Sequence, residues 1–188
     1  DSMSVPPLSL SVLESNLQEN IADTLEACIF YPRNEYKVCS EYMENGRSLQ
    51  RLLDDARRIM NDTLDSRILS FTVVGYASPE GAESRNVLLS YRRAQNLASV
   101  LHSESIIHET EISVSGAGSS WEHLPYSINT VKTYGKEFID FVEPHSAHSH
   151  RGFEAFSNDK SHTYLNGYIY PYLRVSVVRI IYQRKEGR

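Results

Sequence analysis

The chain has only two cysteines among its 188 residues, Cys28 and Cys39, so no disulfide framework carries its fold. The pair either forms a single bridge or leaves Cys28, in the apolar run ACIF, as a small buried hydrophobe. No histidine or further cysteine stands nearby at ligand spacing, which argues against zinc there. No apolar run approaches the roughly 20 residues that a membrane-spanning helix needs. The first residues show no basic region, apolar stretch or cleavage motif, so any export signal is expected to have been removed or left out of this sequence. Excess positive charge is missing too. Lys and Arg number 19 against 24 Asp and Glu, a net charge of -5 that repels phosphate backbones and excludes a nucleic-acid role. Catalytic signatures are equally scarce: there is no G-x-S-x-G elbow, neither cysteine has an activating histidine, and Glu80 and Glu83 form no acid–base motif. The chain is not expected to be an enzyme, and nothing in it calls for a cofactor.

What remains is ordinary in bulk. Apolar residues make up 40% and charged residues 23%, the make-up of one soluble domain with a real core. Residues 1–22 are rich in Ser, Asn and Pro without periodicity and read as a tether or the end of an upstream domain, leaving 23–188 as the domain proper. A short strand is expected from Cys28 to Tyr31, closed by Pro32. Leu49, Leu52, Leu53, Ala56, Ile59 and Met60 recur at helical spacing between Ser48 and Asn61. Ile68 to Tyr76 reads as a buried strand, and the following helix is expected to turn Val87, Tyr91, Ala94, Ala98 and Leu101 inward. Glu111 to Gly116 alternates as a third strand with Ile112 and Val114 on one side. Ile128 to Val142 has helical spacing, and Val175 to Tyr182 is the last strand. The order is β-α-β-α-β-(α insert)-β, with an insert at about 122–170. Crossover helices imply parallel pairing and helices packed on the sheet, an α/β arrangement.

Two clusters have bland readings. His145, His148 and His150 can in principle meet a divalent ion, but they lie in the polar segment 143–160, which reads as a solvated loop without a fourth ligand. Tyr164, Tyr168, Tyr170 and Tyr172 suit either a contact surface or a core edge.

The informative stretch is Gly75 to Leu101, GYASPEGAESRNVLLSYRRAQNLASVL. A strand feeding a turn and a helix N-terminus is a place where α/β proteins hold anions, and an arginine two turns into the helix suits a carboxylate. Its Gly75, Tyr76, Gly81, Asn86, Leu89, Ser90, Arg93, Ala94, Leu97 and Leu101 match, without a gap, the pattern of the OmpA-like, peptidoglycan-associating domains of Gram-negative envelope proteins. The segment resembles that family, and the resemblance extends less specifically over about residues 25 to 185. The turn GYASPEG, WEHL and the late YIYPYLR look like a divergent branch with a longer insert before the last strand.

The resemblance implies an OmpA-like α+β sandwich with a mixed sheet, a periplasmic or outer-membrane-associated address, and binding to the peptidoglycan stem peptide. In the family an Asp pairs with the ammonium of diaminopimelate and an Arg with its carboxylate. Carried over, the ligand residues are Arg93 and Asn86, with Ala77, Ser78 and Glu80 in the turn. Ser78 stands where the family has Asp, and the lost charge-assisted contact is worth about 1.5–3 kcal/mol, one to two decades in affinity. Glu80, two residues on, is the nearest carboxylate able to replace it, unless it merely complements the helix dipole. Arg93 has a structural alternative, tying its helix to the turn. The rival function is accordingly an envelope protein-interaction or assembly domain, for example beside fimbrial components, that kept the fold and lost the ligand.

Overall fold

The computed structural model describes residues 22–61, 66–104, 111–119, 166–167 and 170–184. Strand β1 (Ala22–Phe30) leads into helix α1 (Asn45–Asn61), strand β2 (Ser66–Ala77), helix α2 (Glu83–Ser103) and strand β3 (Ser113–Ser119). One helical turn, α3 (Tyr170–Leu173), then precedes strand β4 (Val175–Arg184). The expected helix at 128–142, the His145–His150 cluster and nearly all of the supposed tether lie outside the described residues.

The four strands form one sheet in the order β1-β4-β2-β3. Only β2 and β3 pair in parallel, while β4 runs antiparallel to both β1 and β2. Parallel pairing thus holds across α2 but not across α1. The last strand enters between β1 and β2, which point the same way without touching as neighbours. The sheet is mixed, as the family resemblance implied. Central β4 is buried on both faces over Val175–Val178, whereas β1 and β3 form the edges.

The expected first strand was too short. β1 begins at Ala22 because an edge strand tolerates charge on its open face: Glu26 pairs there with Arg179 of β4 at 2.8 Å, while Leu25, Ala27 and Ile29 face the core. Helix α1 matches its periodicity, burying Leu52, Leu53, Ala56 and Ile59. Leu52, Leu53 and Ala56 pack with Ile29, Phe71, Val73, Leu97, Leu101, Val178 and Ile180 in one core, which Ile112 and Val114 flank.

Helix α2 departs from expectation. Ala94, Ala98 and Leu101 are buried as expected, but Val87 and Tyr91 are 47% and 43% exposed, and Asn86, Ser90, Arg93 and Leu97 complete the buried face. The cause lies in the strands beneath it. A Cβ on Gly75 would come 1.9 Å from the Ser90 carbonyl oxygen, and one on Gly116 would come 2.4 Å from the Tyr91 nitrogen. The helix backbone therefore rests directly on β2 and β3, and only small or hydrogen-bonded side chains fit beneath it.

Cys28 and Cys39 are both free thiols. Burial, with a contribution from the Glu26 charge, pushes the Cys28 thiol up to about 11, so it behaves as an inert hydrophobe. Tyr170 is buried and Tyr172 meets Phe30 edge to face at 5.8 Å, which makes this end of the tyrosine cluster a core edge.

Candidate functional site

The motif places a turn at the mouth of the sheet. β2 ends at Ala77, and Gly81 adopts a φ of +81° that lets the chain double back into α2. Ala77 itself is buried and pairs with Ser119 of β3 beyond a register shift, contributing backbone rather than a ligand group. Asn86, in the first turns of α2, donates from Nδ2 to the Ser119 hydroxyl at 3.1 Å. Glu83 accepts from both the backbone N–H of Ser119, at 3.0 Å, and its hydroxyl. These contacts pin the end of β3 to the start of α2. Gly118, at a φ of +71°, leaves room for the Glu83 carboxylate, which a Cβ there would meet at 2.2 Å.

Arg93 has no exposed surface. Its Nε donates to the Glu35 carbonyl at 2.8 Å, Nη1 to that of Tyr76 at 2.9 Å and Nη2 to that of Pro32 at 3.3 Å. The guanidinium also lies 5.1 Å over the Tyr31 ring. Burial lowers it to about 10, opposed by Tyr31, which leaves it charged at neutral pH. It ties the loop after β1 to the end of β2 and to α2. Tyr31 completes the brace, donating to Ser176 Oγ at 3.0 Å.

Ser78 and Glu80 act together. The Ser78 hydroxyl donates to Glu80 Oε2 at 2.6 Å, so the carboxylate does lie beside the position where the family carries Asp. The same oxygen takes Arg174 Nη2 at 2.9 Å, and Arg33 Nη2 approaches Oε1 at 3.2 Å. The Arg33 approach makes no hydrogen bond, and buried Oε1 has none. Burial would raise the Glu80 carboxyl. Hydrogen bonds from Ser78 and Arg174 and the charges of Arg174 and Arg33 outweigh that and hold it below its ordinary 4.5.

Between these groups lies a cavity of about 100 Å³. Ser78, Glu80, Asn86 and Arg93, four of the five residues named from the sequence, line it together with Arg33, Asn34 and Arg85. Arg85 donates to Asn34 Oδ1 at 3.1 Å across its rim. Arg33, Arg85 and Arg174 were not foreseen. The signal for Arg174 was topological. Once β4 is antiparallel to β2, Ser176 faces Gly75, and the residues just before β4 come level with the turn after β2. Asn45 was missed as well. Fully buried, it accepts from Phe30 N–H at 2.8 Å and donates to the carbonyls of Phe30 and Cys39, fixing the loop that carries Arg33 and Asn34.

No protein-family model matches the chain, and neither does any curated protein. Among solved structures it is similar to the peptidoglycan-associated lipoprotein from Burkholderia pseudomallei, at 12% identity and a TM-score of 0.42 over 82% of this chain and 89% of that one. It is also similar to the OmpA-like domain of FopA1 from Francisella tularensis, at 15% identity and a TM-score of 0.42 over 92% of this chain and 80% of that one. Likeness at this level leaves the site to be judged on its own residues.

Proposed function

We propose that the chain is a non-catalytic, OmpA-like binding module of the cell envelope, periplasmic or outer-membrane-associated, whose diaminopimelate clamp has been closed by its own side chains. The observation that carries this reading is the Ser78–Glu80–Arg174 cluster. The only carboxylate lining the pocket among the described residues is already paired with a buried guanidinium, so the acid meant for a ligand ammonium has an internal cation instead. Arg93 supports the same reading, because its fork is committed to three backbone carbonyls. Of the two functions that the resemblance allows, an envelope protein-interaction or assembly role, for example beside fimbrial components, fits better than anchoring through the stem peptide. Val87, Leu88 and Tyr91, all exposed on α2, give such a partner apolar area to cover.

Isothermal titration with a diaminopimelate-containing muropeptide tests the closed clamp. The expected result is no saturable heat at about 1 mM ligand, a binding free energy weaker than about -4 kcal/mol. Micromolar binding would overturn it. Arg174→Met, which keeps the bulk and removes the charge, is expected to free Glu80 and bring measurable binding back.

A further inference from the structure

The closed clamp leaves a cavity whose charge is unbalanced. Among the described residues three arginines line it, Arg33, Arg85 and Arg93, against one carboxylate, Glu80, and Arg174 stands behind that carboxylate as a further cation. Arg93 is spent on carbonyls, but Arg33 and Arg85 are exposed and hold only one contact each within the site, to Glu80 and to Asn34. Both can turn N–H donors toward the space between them. At about 100 Å³ the cavity is well below the 300 Å³ or more of a drug-sized ligand site, which limits the occupant to one functional group and its nearest atoms.

Resting on the closed clamp, the geometry points to this cavity as a site for an isolated carboxylate, the terminal carboxylate of a peptide whose last α-nitrogen is an amide. Arg33 and Arg85 bind the two carboxylate oxygens at the rim. An amide nitrogen is preferred because an ammonium meets the net positive charge of Arg33, Arg85, Arg93 and Arg174, against which Glu80 sets a single carboxylate. The preference is therefore opposite to that of a clamp for a free amino acid, which needs the ammonium. A small last residue is preferred on volume.

Three probes of one size separate these cases: N-acetylglycine, an anion; glycine, a zwitterion; and glycinamide, a cation. Amide chemical shifts of the full chain are followed at constant ionic strength. N-acetylglycine is expected to give saturable shifts at Gly81 and Asn86 with a Kd of about 1–10 mM, glycine to bind about tenfold more weakly, and glycinamide not to bind. Arg33→Ala and Arg85→Ala, both at exposed positions, are each expected to weaken N-acetylglycine by about tenfold while circular dichroism stays unchanged. Glycine or glycinamide binding as well as N-acetylglycine overturns the inference, as does wild-type affinity in both variants. A protein that ignores N-acetylglycine and the diaminopimelate muropeptide alike overturns the carboxylate site and leaves the closed clamp standing. Tight muropeptide binding that requires the ammonium overturns the clamp reading itself.

Discussion

At the scale of single residues the site turns on two charges, Glu80 and Arg93, each held by internal partners. Glu80 sits where it can replace the missing aspartate, and that much was legible from its place two residues after Ser78. Its partner was not, because Arg174 lies 94 residues further along the chain and only the sheet order brings it near. The pairing has a measurable signature. The folded Glu80 carboxyl titrates below its ordinary 4.5, so its ionised form favours folding. That contribution is complete above the unfolded value and is lost as pH falls through the lower folded value. Urea midpoints taken from about pH 6 to about pH 3 should therefore fall more steeply for the wild type than for Glu80→Gln. Parallel curves would mean that the carboxylate gains nothing from Ser78 and the two arginines. Arg93 was legible as a motif position, and a tie from its helix to the turn was one of the two roles open to it, but its other anchors were not legible. Which carbonyls it reaches depends on the loop that Asn45 fixes, and Asn45 belongs to no recognisable pattern.

Among the elements, helix α2 shows where periodicity misleads. Counting apolar residues placed Ala94, Ala98 and Leu101 correctly but turned Val87 and Tyr91 inward with them, where a helix pressed onto glycines buries Asn86 and Ser90 instead. The strand glycines were the readable clue, since a glycine inside a strand often marks a close backbone approach. The two glycines of the motif should respond differently to alanine. Gly75→Ala drives a Cβ into the Ser90 carbonyl and is expected to cost about 3 kcal/mol or more. Gly81→Ala meets nothing within 4 Å and pays only for its left-handed backbone, about 1 kcal/mol. Chemical denaturation of both variants decides the matter, and equal losses would contradict the packing described for α2.

For the whole molecule the governing fact is that β4 lies between β1 and β2. Strand existence, the two crossover helices and most of the core were legible, because long amphipathic periods and apolar runs are local properties of the chain. The pairing was not, because strand order is a long-range property that local patterns do not encode. The register joins Ala22 to Gln183 and Ser66 to Arg184, so most sheet contacts wait for the last strand. A chain stopped after residue 174 is accordingly expected to lose β1 from the sheet and to show neither dispersed amide resonances nor a cooperative thermal transition. Retention of either would mean that β2, β3 and the helices fold without β4.

The buried Arg93 carries a consequence for descent. Here the guanidinium bridges carbonyls of Pro32, Glu35 and Tyr76, so any replacement leaves polar backbone stranded. Selection for folding alone keeps the arginine in place. The arginine of the motif is therefore a mark of how this fold is tied together, whatever its surface binds.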